Sequence, residues 1–264
     1  MTIAESYAAC RKIAKERARN FYYSFGLLPK HKSDAMCAIY AFMRYCDDLS
    51  DEPGAQRASM EQWRRALDAA LDGEFDGHAV WPAFHDTVQR FAIPRAYFHE
   101  MIDGVSSDLT PQRLTTEAEL YRYCYQVASV VGLTIIHIFG FRDPKALELA
   151  GKCGQAFQLT NIIRDVREDA DMGRVYLPGI DIGNLASCKP ILRAQGARAR
   201  AFYGESMPLI GMVDKDSRAS LWALIEIYSR LLAKIEASDY DVLIERVRLS
   251  APAKVLVVLQ AYLG

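Results

Sequence analysis

The stretch GQAFQLTNIIRDVREDADMGRVYLP, residues 154–178, decides the fold. Asn161, Asp165 and Asp169 recur every four residues, with Gln158 three before them and Arg164 and Arg167 interleaved. On an α-helix, i and i+4 stand one above the other, so these three form a polar column. Phe157, Leu159, Ile162, Ile163 and Val166 make much of the remaining surface apolar, which predicts a partly buried helix. A buried carboxylate column is costly unless a cation or proton compensates it. A second set lies upstream, Arg44-Tyr45-Cys46-Asp47-Asp48-Leu49-Ser50-Asp51, in which Asp47 and Asp51 share a face and Arg44 precedes them by one turn. Two such sets in one helical chain point to a metal site between facing helices.

Around these blocks the chain reads as helix throughout. Helices are predicted over 3–17, from a cap at Ser33 or Asp34 to Asp51, and over about 59–72, 80–91 and 95–107. Thr116-Glu117-Ala118-Glu119 has capping-box spacing and opens a long helix through Tyr123 to about Gly140. Asp143-Pro144 opens the helix of the central motif. A looser segment, 171–184, precedes helices over about 187–210, 216–237 and 252–262. No run alternates convincingly enough for a strand, and no repeat is visible. The reading is all-α, with residues 1–264 as one domain.

Composition narrows the function. The 264 residues are 51% hydrophobic and 25% charged with a net charge of -1, which offers no basic surface for nucleic acid. Cys10, Cys37, Cys46, Cys124, Cys153 and Cys188 show no Cys-x-x-Cys pair, which favours a reduced cytoplasmic protein over a zinc site. The longest apolar run, Val127–Phe141, is broken by Ser129, Thr134 and His137 and falls short of the roughly 20 residues of a membrane span. The tail Val255–Leu259 is expected in the core. Glu-x-x-His, G-x-G-x-x-G, P-loop and G-x-S-x-G signatures are all missing, which disfavours di-iron, nucleotide and serine-hydrolase chemistry.

Either acidic block alone reads equally well as a solvated face, with Arg164 and Glu168 pairing at i,i+4. Together they favour a site. Magnesium prefers carboxylate oxygens, waters and substrate phosphates, and arginine forks match phosphate oxygens. For any single one of Phe21, Tyr22, Tyr23, Phe25, Tyr40, Phe42, Tyr45, Tyr121, Tyr123 and Tyr125 core packing is the default, while as a set they suit an apolar tunnel whose π faces stabilise carbocations. Beyond Tyr123, the small residues Val127, Ala128 and Val131 leave room for a hydrocarbon chain.

These blocks, with FYYSFGLLP (21–29), AIYAFMRYCDDLSDEPG (38–54) and YCYQVASVVG (123–132), resemble the squalene/phytoene synthase family of head-to-head prenyl transferases. The resemblance implies an isoprenoid-synthase helical bundle with a central cavity. It implies that Asp47 and Asp51, facing Asn161, Asp165 and Asp169, hold magnesium, with manganese as a substitute. It implies substrate or diphosphate contacts at Arg19, Asn20, Tyr40, Arg44, Gln158, Arg164 and Tyr228, and an active-site tyrosine at Tyr123. Asp108 and Arg246 match family positions. The connection between Pro178 and Ala197 is shorter than the family's usual one.

The activity expected is condensation of two farnesyl diphosphates to presqualene diphosphate and onward to squalene or a related triterpene. Phe21 and Phe25 at the tunnel wall favour that thirty-carbon product, as in bacterial hopanoid pathways. The alternatives are a forty-carbon phytoene synthase using geranylgeranyl diphosphate, a cyclising terpene synthase, and a catalytically silent interaction protein. NADPH use, oligomeric state and peripheral contact with the inner membrane face are left open.

Overall fold

A computed structural model describes residues 1–18, 21–51, 57–75 and 77–263, with the side chains of residues 51, 185 and 186 outside the description. In chain order the described helices are α1 (Ile3–Arg17), α2 (Tyr22–Phe25), α3 (Lys30–Asp51), α4 (Arg57–Leu71), α5 (Trp81–Arg90) and α6 (Arg95–Ser107). There follow α7 (Glu117–Cys124), a π-helical turn (Tyr125–Ser129), α8 (Val130–Phe139) and α9 (Lys145–Asp171). The last are α10 (Leu185–Ser206), α11 (Leu209–Met212), α12 (Arg218–Ala237) and α13 (Ala251–Leu263). The all-α expectation holds, with one small exception. Gln112–Arg113 (β1) and Arg174–Val175 (β2) pair in parallel, too briefly to leave an alternating pattern in the sequence.

Local chemistry explains the helix starts. The Thr116 hydroxyl accepts from Glu119 N at 3.2 Å while the Glu119 carboxylate accepts from Thr116 N at 3.0 Å, the predicted reciprocal cap. α3 begins earlier than its expected cap. Ser33 N donates to the Pro29 carbonyl at 2.9 Å, so proline's fixed φ starts the helix and Ser33 and Asp34 fall inside it. Asp34 instead pairs with Arg11 of α1 at 2.9 Å.

The helices share one hydrophobic core. Phe42 is fully buried at the centre of an aromatic group, 4.8 Å from Phe84, 5.5 Å from Phe98 and 5.9 Å from Trp63 between ring centroids. The tail departs from expectation. Of Val255–Leu259 only Val257 is buried; Val255, Leu256 and Leu259 are about half exposed, because α13 lays its other face on α12 and α2. No described helix is long and apolar enough to cross a membrane.

The helix carrying the central motif is located by a close backbone crossing. α9 passes the π-turn at Gly154, where a Cβ would lie 2.4 Å from the Ala128 carbonyl oxygen. At Gly132 on α8 a Cβ would lie 2.5 Å from the Ala150 carbonyl oxygen. Ser129 Oγ donates to the Gly151 carbonyl at 2.9 Å across the same crossing. Gly154, Gln158, Asn161 and Asp165 share one helical face, so this contact fixes where the polar column points. Gly154→Ala should lower stability by about 1–3 kcal/mol through overpacking against backbone. Urea unfolding checks this against Gly211→Ala, where nothing lies within 4 Å of the added Cβ; equal stability of the two variants would contradict it.

Candidate active site

Two cavities lie side by side between the helices. The first, about 620 Å³, runs from Arg17, Arg44 and Asp47 down to Phe25, Met36, Ile39 and Leu231. The second, about 520 Å³, runs from Asp165, Asp169 and Arg174 down to Ile136, Phe139, Cys153, Leu221 and Leu224. Both have Phe21, Met43, Arg44, Asp47, Val131, Ile135, Asn161, Arg164 and Arg246 in their walls. The shared residues are thus an apolar partition together with a mixed acid, amide and guanidinium mouth. The segment between α12 and α13 supplies Arg246, Val247, Arg248 and Leu249 to the wall of the first cavity.

Most of the described residues expected to bind substrate or metal reach one of these cavities. Phe21, Arg44, Asp47, Val131, Asn161 and Arg164 border both; Phe25, Tyr40 and Tyr228 border the first; Tyr123, Ala128, Gln158, Asp165 and Asp169 border the second. Asp51 ends α3, with its side chain outside the description, and Arg19 and Asn20 lie outside the described residues. The aromatic lining is smaller than expected. Phe42 and Tyr45 stack instead with Trp63, Tyr22 and Tyr125 are exposed, and Tyr121 packs on Phe202. Phe157, absent from the expected set, stacks on Tyr228 at 4.4 Å and borders the second cavity.

The mouth is electrostatically crowded. Asp165 takes a hydrogen bond from Arg164 Nε at 2.7 Å and an ion pair from Arg246 Nε at 2.8 Å. Arg246 also reaches Glu168 at 2.9 Å, and Arg44 pairs with Asp48. Asp169 has fewer compensating partners. Burial, then the charge of Asp165, pushes its carboxyl up to about 8, against the pull of Arg174. Asn161, in the wall of both cavities, has its Oδ1 buried without a hydrogen-bond partner. Among the described residues no group of three or more His, Cys, Asp or Glu side chains is close enough to hold a metal by itself.

A further network lies on the wall of the second cavity. Tyr123 OH donates to Asp108 Oδ2 at 2.8 Å and Tyr176 OH donates to Asp108 Oδ1 at 2.8 Å. The two rings stack at 4.5 Å. Arg174 donates to the Asp108 carbonyl at 3.1 Å and the Ser50 carbonyl at 3.3 Å, tying α3 to α6 and to the chain after α9. Tyr176 and Ser50 were not legible as site residues. Tyr176 follows an extended segment with no helical spacing to betray its direction.

A helical bundle whose charged mouth opens on two apolar cavities has the all-α isoprenoid-synthase fold. The squalene/phytoene synthase family model matches residues 14–253, and the chain belongs to that family, whose fold is that of head-to-head prenyltransferases. The chain is 35% identical over 277 residues to a phytoene synthase of Arthrospira platensis, an alignment taking in 93% of this chain and 88% of that protein. It is 33% identical over 282 residues to a chloroplastic phytoene synthase of Daucus carota, with 98% and 70% covered. A dehydrosqualene synthase crystallised with a ligand superposes with a TM-score of 0.91 at 29% identity, covering 98% of this chain and 96% of that one. The squalene synthase HpnC from Alicyclobacillus acidocaldarius matches in fold, with a TM-score of 0.83 at 24% identity over 90% and 95% of the two chains.

Proposed function

We propose that this protein condenses two farnesyl diphosphates head to head to presqualene diphosphate, and onward to squalene or a related triterpene. The observation that carries the reading is the pair of apolar cavities sharing one partition and one charged mouth. Two hydrocarbon chains fit side by side there with their diphosphates at the same end. Family membership supports the reaction type. The thirty-carbon length draws on the likeness to a dehydrosqualene synthase and on the bulk of Phe21 and Phe25 in the wall of the first cavity. The phytoene synthases among the sequence relatives favour a second reading, geranylgeranyl diphosphate and a forty-carbon product.

The chain's own groups divide the work. Arg44, Arg164 and Arg246 present guanidinium forks to diphosphate oxygens at the mouth. Phe21, Phe157 and Tyr228 place aromatic faces against the space where an allylic cation would form. The aliphatic depths keep water from that cation. The orphan Oδ1 of Asn161 and the under-compensated Asp169 are hard oxygen donors in need of a cation, which fits magnesium or manganese completed by substrate phosphate. Asp47 on one side and Asn161, Asp165 and Asp169 on the other would hold that metal, whose Lewis acidity would assist diphosphate departure.

Incubating the purified protein with farnesyl diphosphate and magnesium, with and without NADPH, tests the reading. A cyclopropyl thirty-carbon diphosphate or a linear triterpene is expected; turnover of geranylgeranyl diphosphate alone would establish the second reading, and a cyclic fifteen-carbon product would overturn both. Asp47→Asn and Asp165→Asn should each slow magnesium-dependent diphosphate release by about 100-fold or more with an unchanged circular dichroism spectrum. Wild-type rates in both variants would refute the metal assignment.

We also infer contact with a lipid surface through α13. Val255, Leu256, Leu259, Tyr262 and Leu263 form one exposed stripe at helical spacing. The helix holds no acidic residue, Arg248 and Lys254 flank its start, and both border the first cavity. An apolar face beside basic side chains suits an anionic bilayer that would receive a hydrocarbon product. Co-sedimentation with phosphatidylglycerol-containing vesicles is expected for the wild type and should be lost in Leu256→Glu/Leu259→Glu. Equal sedimentation of the two proteins would contradict it.

A further inference from the structure

Asp108 sits at the C-terminal cap of α6, on neither aspartate-bearing helix, and borders the second cavity with Asp165 and Asp169. Each of its carboxylate oxygens accepts one phenol, Tyr123 on Oδ2 and Tyr176 on Oδ1, both at 2.8 Å. The stacked rings and the Arg174 hydrogen bond to the Asp108 carbonyl hold this arrangement from three sides. Burial pushes both phenols well above their ordinary range and the charge of Asp108 raises them further, so both stay protonated and act as donors to the carboxylate. The charged neighbours are Arg174 and Asp169, both on the wall of the same cavity.

A tyrosine whose proton is committed to a carboxylate can take a second proton from another source only by passing its own along. Tyr123 is placed to do so, since Tyr123 and Asp108 both border the second cavity. The geometry points to Asp108 as the terminal acceptor of the proton that leaves carbon when the cyclopropane ring closes, with Tyr123 as the relay and Tyr176 as the positioning residue that orients the carboxylate. The assignment rests on the head-to-head reading. In the step, a C–H bond on the carbon two bonds from the cationic carbon breaks, and its electron pair forms the C–C bond between those two carbons that closes the three-membered ring. The proton goes to Tyr123 Oη as the proton already on that oxygen moves to Asp108 Oδ2. Tyrosine ends neutral, Asp108 ends as a carboxylic acid, and the positive charge of the cation is discharged without an oxidant or reductant. Tyr176 keeps its hydrogen bond to Oδ1 throughout, which leaves Oδ2 as the receiving oxygen.

The test is the ratio of cyclopropyl diphosphate formed to diphosphate released. Asp108→Asn keeps the shape of the side chain and removes its capacity to take the proton. The ratio should fall by about 100-fold, the scale of a lost general base, whatever happens to the overall rate, with carbon diverted to water-quenched alcohols. Tyr176→Phe removes only the orienting hydrogen bond and should lower the ratio by about tenfold, so the proposal stays testable if Asp108→Asn does not fold. A ratio at the wild-type value in both variants, with rates reduced, would mark the network as structural and overturn the assignment. Wild-type protein that releases diphosphate but makes no head-to-head product would overturn the functional reading itself, a separate outcome.

Discussion

The contact between α9 and the π-turn at Gly154 is the constraint on which the site depends. A backbone carbonyl stands where any other residue's Cβ would be, so α9 approaches more closely than side chains would allow. The approach aims Gln158, Asn161 and Asp165 across the cavities toward Arg44 and Asp47 on α3. The π-turn belongs to the same contact. It inserts a wider helical turn next to Tyr123 and places Ala128 opposite Gly154. Without that crossing, the two polar helix faces would not share a mouth.

Electrostatics then explains why the mouth is built as it is. Carboxylates, an amide and arginines are gathered above two apolar cavities, where desolvation penalises isolated charge. Asp165 is satisfied by two arginines, while Asp169 and Asn161 are not fully matched within the protein. A network of a different kind, two phenols on one carboxylate, occupies the wall of the second cavity beside Arg174.

Much of this was written locally in the sequence. The i,i+4 spacing of Asn161, Asp165 and Asp169 showed a polar column, because helical geometry turns spacing directly into direction. The Thr116–Glu119 cap was legible because its partners are three residues apart. Other features depend on tertiary contacts that spacing does not encode. The early start of α3 comes from a proline carbonyl rather than a capping side chain. The bare face of α13 depends on which neighbours cover it. Tyr176 and the segment bearing Arg246 are irregular backbone, where no period announces which way a side chain points.

The central claim is that two cavities converge on one charged mouth to hold two prenyl diphosphates at once. Isothermal titration calorimetry with a non-ionisable thiolo-diphosphate analogue of farnesyl diphosphate, in the presence of magnesium, measures this directly. Two analogue molecules bound per chain is the predicted result. Saturation at one molecule per chain would contradict the account.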